Sequence, residues 1–254
     1  MREERVTVDG KRLFYLDEGA GAPVVLIHGN TASSRWFSQV MDLPGLRCYA
    51  PDLPNFGRSE PIDSCDIDRY ADFILGFLDA LEIEPPTLVG HSLGGAVAMS
   101  LAVRRSDRIR RLLLVDSAPI GGLTTPEEHY PAIELFRTNR SLLAQALHAV
   151  TPHLTDAKLF EELVDDAARM AGPAFAGNAR ALERFAYSAA ASRFRSPVLF
   201  VLGAEDILIT EAMARETVAC FPQARLRVLP NIGHSVVVED PSLFKTILGE
   251  FATA

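Results

Sequence analysis

The stretch Val89-Gly90-His91-Ser92-Leu93-Gly94-Gly95 decides how this chain is read. Before it, Thr87-Leu88-Val89 predicts a buried strand, and after it Ala96-Val97-Ala98-Met99-Ser100-Leu101-Ala102 predicts a helix. Gly-x-Ser-x-Gly between a strand and a helix is the turn that holds a serine in strained backbone geometry with its hydroxyl presented outward. Glycines at 90 and 94 suit so tight a reversal, because neither brings a Cβ into it. Ser92 then stands at the mouth of a helix, where unpaired N–H groups and the helix dipole favour a developing negative charge. The same five residues also occur in ordinary Gly/Ser loops. The strand before and the helix after separate the two cases, and both are predicted here.

Working outward, the flanks alternate between strands and helices. Arg5–Val8 and Arg12–Leu16 bracket Asp9-Gly10, a hairpin signal. Pro23–Ile27 is continuously apolar, as a strand covered on both faces must be. It runs out into His28-Gly29-Asn30, after which Ser33 or Ser34 is expected to cap a helix carrying Trp36, Phe37, Val40 and Met41. Arg47–Pro51 predicts a short strand, and Ile67, Tyr70, Phe73, Ile74, Phe77, Leu78 and Leu81 recur at helical spacing. Beyond the serine, Ile109–Val115 is another strand, ending at Asp116. The alternation then stops. From about Pro119 to Arg193 only helices are predicted, over Glu127–Arg137, Leu142–Val150, Asp156–Met170 and Asn178–Ser188. It resumes with the strand Pro197–Gly203, a helix around Glu211–Cys220, the strand Leu226–Leu229 and a closing helix near Pro241–Phe251. The pattern implies a mostly parallel α/β core, residues 1–118 and 194–254, with an all-helical cap, 119–193, inserted over one edge of the sheet.

Composition bounds the function. With 254 residues, 48% hydrophobic and 23% charged, the chain holds enough apolar material for one such core. A net charge of -8 argues against nucleic acid or an anionic membrane as partner. The opening Met1-Arg2-Glu3-Glu4-Arg5 is no secretory signal, no run reaches membrane-spanning length, and three cysteines without paired spacing suit a reducing cytoplasm. A monomer or a homodimer is compatible with all of this. There is no metal-ligand spacing and no Walker or Gly-x-Gly-x-x-Gly loop, so no cofactor is expected.

In parallel α/β sheets, ligands collect beyond the carboxyl ends of the strands. Four candidates share that address: the His28-Gly29-Asn30 loop, Ser92, Asp206 and His234. A serine hydroxyl is a poor nucleophile until a base within hydrogen-bond reach takes its proton. His234, in a Gly-containing loop after a strand, is the candidate base, and Asp206 the acid that would orient its imidazole and stabilise the imidazolium. Asp206 could instead merely cap the following helix, and Glu205 and Asp116 compete for the acid's role. His28 and His91, beside tight turns, read as structural, while His129, His148 and His153 fall in the cap. The backbone N–H groups of Asn30 and Leu93 are the expected oxyanion donors. In the cap, Leu135, Phe136, Leu143, Leu147, Phe160, Met170, Phe175, Phe185 and Tyr187 supply apolar surface for a pocket or for the cap's own core.

With His28-Gly29, Asp52…Gly57-Arg58-Ser59, Gly90-His91-Ser92-Leu93-Gly94-Gly95, Gly203…Asp206 and Gly233-His234 in that order, the chain resembles the α/β-hydrolase-fold proteins over essentially its whole length. The resemblance implies a mostly parallel eight-stranded sheet, a helical cap after the sixth strand, a Ser92–His234–Asp206 triad and donors at Asn30 and Leu93. The segment His28–Ser34 is similar to that of haloalkane dehalogenases, in which the asparagine binds halide. Those enzymes attack with aspartate, and here the position carries Ser92, which argues against dehalogenation and aspartate-based epoxide hydrolysis. The expected activity is hydrolysis of a small carboxylic ester or related acyl compound, with no cofactor. Cofactor-free haloperoxidases or perhydrolases and hydroxynitrile lyases use the same triad, and some proteins of this fold are small-molecule receptors.

Overall fold

The computed structural model describes residues 1–254. Its centre is an eight-stranded sheet in the order β1-β2-β4-β3-β5-β6-β7-β8. The strands are β1 (Arg2–Val8), β2 (Lys11–Gly19), β3 (Ala22–Ile27), β4 (Leu46–Pro51), β5 (Thr87–His91), β6 (Arg111–Val115), β7 (Val198–Gly203) and β8 (Ala224–Leu229). Only β2 runs antiparallel, to both β1 and β4; every other neighbour pair is parallel. The Asp9-Gly10 hairpin closes as the sequence predicts, with both residues at positive φ, 48° and 72°.

The continuous apolar runs divide themselves between two cores. In β3, Val25 and Ile27 face one core while Val24 and Leu26 face the other; in β6, Leu112 and Leu114 oppose Leu113 and Val115. Successive strand side chains point to opposite faces, so a run without polar breaks is what a sheet covered on both sides requires. On the first face lie α1 (Ile67–Ala80), α2 (Leu93–Arg104) and, after β7, α7 (Glu211–Ala219). The α1 stripe predicted from spacing is buried as expected, through Tyr70, Phe73, Ile74, Phe77 and Leu78, and Asp66 caps its start by accepting from Arg69 N–H. The second face is covered by a 3-10 turn, Ser34–Phe37, and by the two closing helices.

Between β6 and β7 the chain is helical, with α3 (Tyr130–Leu135), α4 (Arg140–Val150), α5 (Ala157–Ala167) and α6 (Ala174–Arg184). The closing helices are α8 (Val236–Glu239) and α9 (Pro241–Thr253). The insert joins both cores: Met170, Phe175 and Leu182 pack into the first, Leu143, Leu147, Leu159 and Leu163 into the second. Most of its predicted apolar residues are therefore core, whereas Leu135 is 52% exposed. No helix is long and apolar enough to cross a membrane.

Two expectations differ from the structure. The helix predicted to carry Trp36, Phe37, Val40 and Met41 is only the short 3-10 turn. Its residues wind with tight i→i+3 bonds, Ser38 N–H to Arg35 and Val40 N–H to Phe37 carbonyls, and all four apolar side chains are buried without a longer helix. The helix expected over Asn178–Ser188 instead starts four residues earlier, directly after Pro173, because proline fits a helix's first positions.

The turn at Ser92 depends on glycine. A Cβ on Gly94 would sit 2.3 Å from the Ile27 carbonyl oxygen and 2.5 Å from that of His28, backbone atoms that cannot swing away. Gly249, inside α9, has nothing within 4 Å of its Cβ position. Thermal or urea unfolding is expected to show Gly94→Ala destabilised by about 1–3 kcal/mol and Gly249→Ala stabilised by about 0.5–1 kcal/mol.

Candidate active site

Ser92 occupies the turn between β5 and α2 at φ 53°, ψ −118°, a backbone region costing a non-glycine residue on the order of 1–3 kcal/mol. Neighbouring backbone holds it there. Its N–H donates to the Val115 carbonyl at 3.0 Å, and its carbonyl accepts from Gly95 N–H at 2.9 Å and Ala118 N–H at 3.1 Å. Ser92 is half-buried among fully buried neighbours, so it is the residue of the turn open to a substrate.

The candidate base and acid, His234 and Asp206, follow β8 and β7. His234 Nδ1–H donates to Asp206 Oδ2 at 2.7 Å. The other oxygen, Asp206 Oδ1, accepts from Leu208 N–H at 2.7 Å and Ile209 N–H at 3.0 Å. With the carboxylate so satisfied, Nδ1 carries the proton and the lone pair of Nε2 is left for the serine. Burial alone would lower the His234 pKa, but the hydrogen bond and charge of Asp206 outweigh it and raise it above the usual 6.5. Asp206 does not cap α7; Thr210 does, by accepting from Met213 N–H. Ser92 Oγ and His234 are not hydrogen-bonded to one another in this structure, although the His234 ring lies 5.1 Å from that of His91, the neighbour of Ser92.

The competing acids stand elsewhere. Glu205 pairs at the surface with His153, 2.8 Å away. Asp116 is fully buried at φ 45°, and its Oδ1 accepts from Gly203 N–H at 2.7 Å. Burial pushes its carboxyl up to about 8 despite the nearby His234, which favours its neutral form and makes it a weaker partner for an imidazolium than the hydrogen-bonded Asp206.

Asn30 follows β3, whose Ile27 pairs with Gly90 of β5. This loop lies hard against the serine turn: a Cβ on Gly29 would be 2.9 Å from both Ser92 Cβ and His91 Nδ1. The Asn30 N–H donates to no protein acceptor, and Leu93 opens α2, where first-turn N–H groups have no partner within the helix. His28 is structural as expected, Nε2 accepting from Leu53 N–H at 3.0 Å.

The groups that hold His234 were not expected from the sequence. The His234 N–H donates to Val150 O, at the end of α4, at 2.9 Å. Its carbonyl accepts from His91 Nε2–H at 2.8 Å. Burial and the proximity of His234 take the His91 pKa down to about 3, so that ring is neutral and its Nε2–H is a fixed donor. Glu239 grips both flanks, Oε2 accepting from Gly233 N–H and Oε1 from Ser235 N–H, each at 3.0 Å, with His153 N–H also on Oε2 at 3.2 Å. A carboxylate five residues after a histidine was the only signal for this clamp. A depression of about 710 Å³ lined by Arg111, Pro197, Arg225 and Arg227 lies at the amino ends of β6–β8, the opposite end of the sheet from Ser92.

A profile of the alpha/beta hydrolase fold family matches residues 22–241. The chain belongs to that family of enzymes. Among curated proteins it is similar to 2-hydroxymuconate semialdehyde hydrolase of Pseudomonas sp. (strain CF600), 31% identical over 255 residues that cover 92% of this chain and 88% of that one. Solved structures share the fold: an esterase from Exiguobacterium antarcticum, at TM-score 0.90 and 19% identity, covers 98% of this chain and 99% of its own. The enol-lactonase from Burkholderia xenovorans LB400, at TM-score 0.86 and 23% identity, covers 99% and 100%.

The pairing with Asp206 sets the pH dependence. With His234 as the candidate base, proton abstraction needs its neutral form, so kcat/KM is expected to rise with pH through a midpoint above 6.5. Asp206→Asn removes the contributions that raise it, moving the midpoint down and lowering kcat by roughly 10³–10⁴. Asp116→Asn, which keeps the acceptor for Gly203 N–H and tolerates positive φ, is expected to stay within about threefold of the parent. Ester-hydrolysis pH profiles of the three proteins check this.

Proposed function

We propose that the protein is a serine hydrolase that cleaves a small carboxylic ester, or a related acyl compound, through an acyl-enzyme intermediate. The observation that carries the reading is the 2.7 Å His234–Asp206 pair beside a serine held at φ 53° at the mouth of α2. In this reading Ser92 Oγ attacks the carbonyl carbon while His234 Nε2 takes its proton. The tetrahedral oxyanion is met by the N–H groups of Asn30 and Leu93, donors of a kind worth roughly 10²–10³ in rate. Protonated His234 then gives its proton to the leaving alcohol. Water repeats the cycle: His234 deprotonates it, it attacks the acyl carbon, and the acid departs as Ser92 regains its proton.

The helical insert serves as the cap over this site, and its shape selects the acyl group. The relative named 2-hydroxymuconate semialdehyde hydrolase supports a second reading, hydrolysis of such a semialdehyde. Turnover of 2-hydroxymuconate semialdehyde that exceeds that of esters selects the second.

Ser92→Ala is expected to lower hydrolysis of p-nitrophenyl acetate and butyrate to the uncatalysed rate while its circular dichroism and unfolding midpoint match the parent. Undiminished turnover in the folded variant contradicts the assignment.

A further inference from the structure

Asn30 contributes more than a backbone N–H. Its side-chain Oδ1 accepts from Asn178 Nδ2, on α6 of the insert, at 2.9 Å. Asn178 Oδ1 in turn accepts from the Tyr70 hydroxyl at 2.9 Å, and the Tyr70 oxygen accepts from Asn55 Nδ2 at 3.1 Å. Asn55 ends the chain with two backbone bonds, Nδ2–H to the Ser64 carbonyl and Ile62 N–H to its Oδ1, both 2.8 Å. Asn55, Tyr70 and Asn178 are all buried, Asn178 and Tyr70 at 0% exposure.

The polarity of this chain is fixed from its far end. A backbone N–H only donates and a backbone carbonyl only accepts, so Asn55 cannot be turned over. Asn55 therefore donates to Tyr70, whose single proton must go to Asn178 Oδ1. Burial raises the Tyr70 pKa and keeps that proton on the hydroxyl. Asn178 is then left with N–H groups for Asn30 Oδ1 and for the Met170 sulfur, 3.9 Å away. Reversing Asn178 would set two carbonyl oxygens against each other in a dry site. Asn30 Oδ1 is thus occupied, and Asn30 presents its Nδ2–H bonds on the other side. That nitrogen has no acceptor in the protein and is not a buried atom, and Asn30, like Ser92 beside it, is half-buried.

We propose that Asn178 and Tyr70 are positioning residues that hold the Asn30 amide with its N–H bonds toward the cleft above Ser92, forming a subsite for an oxygen acceptor on the acyl portion of the substrate. The placement follows from covalent geometry. Nδ2 lies four bonds from the backbone N of the same residue, a reach of about 5 Å at most. The two N–H groups can therefore hold the carbonyl oxygen and a second oxygen three bonds from it in one acyl group. An ether, keto or hydroxyl oxygen next to the scissile carbonyl satisfies that distance. The subsite rests on the serine-hydrolase reading for its position on the substrate, and on the hydrogen-bond chain alone for its polarity.

The test uses acyl groups that differ by one atom. Methoxyacetate places an ether oxygen where butyrate has a methylene. After correction for their alkaline hydrolysis rates, the kcat/KM ratio of p-nitrophenyl methoxyacetate to p-nitrophenyl butyrate is expected to fall about tenfold in Asn30→Ala, the size of one hydrogen bond. It is expected to fall in the same direction in Tyr70→Phe, which cuts the chain without touching substrate. A second readout needs no turnover. In the Ser92→Ala protein, the Asn30 side-chain ¹⁵N–¹H signals are expected to move on adding methoxyacetamide and not butanamide. A ratio unchanged in Asn30→Ala, or signals that respond alike to both amides, overturns the subsite. Absence of ester turnover in the parent protein counts against the hydrolase reading instead, and the amide signals still decide the subsite.

Discussion

Everything in the site depends on one tight passage of backbone, the left-handed turn at Ser92. It exists because no side chain fills the space around it. A Cβ at Gly90 would lie 2.4 Å from the Gly94 oxygen, and one at Gly95 would lie 2.0 Å from Ser117 Oγ. These approaches bring the ends of β3, β5 and β6 together closely enough for their backbones to share the load: Val115 accepts from Ser92, and Ile27 and His28 crowd Gly94. The strain at φ 53° is therefore set against hydrogen bonds and packing contributed by three strands. Once the turn is fixed, β7 and β8, continuing the sheet on the same side, deliver Asp206 and His234 at the same end.

His234, the candidate base, is held by groups other than Asp206. Its N–H goes to Val150 at the end of α4, its carbonyl to the His91 ring in the serine turn itself, and its flanking N–H groups to Glu239. Each neutral bond contributes about 0.5–1.5 kcal/mol net, and those to a carboxylate more, about 1.5–3 kcal/mol. The consequence is mechanical. The helical insert touches His234 through Val150 and Asn30 through Asn178, so a movement of the insert bears on both.

Much of this was legible in the sequence, and the rest failed for physical reasons. The strands of the parallel core were readable because burial on both faces leaves unbroken apolar runs such as Val24–Ile27 and Leu112–Val115. The gathering of Ser92, Asp206 and His234 at one end of the sheet was readable because each follows a strand. The segment after Ser33 was not, since Trp36, Phe37, Val40 and Met41 have helical spacing yet reach full burial around a single 3-10 turn. The boundaries of α6 slipped because Pro173 starts that helix, and the apolar spacing alone could not say so. Nothing local marked Asn178, whose partner Asn30 is 148 residues away and is chosen by tertiary packing, and Glu239 left only the faint signal of a carboxylate five residues after a histidine. Asp116 and Asp206 look alike in sequence, each after a strand; burial, which raises the carboxyl of the first, and the hydrogen bond of the second to His234 set them apart only in three dimensions.

The central claim is that Ser92 is a nucleophile activated by His234. Reaction with a fluorophosphonate, followed by intact mass and peptide mapping as pH is varied, tests it most directly. The account predicts one adduct per chain, on Ser92, formed at a rate that climbs with pH through a midpoint above 6.5 and lost in the folded Ser92→Ala protein. An unmodified Ser92 under these conditions, or an adduct whose rate ignores His234→Ala, contradicts it.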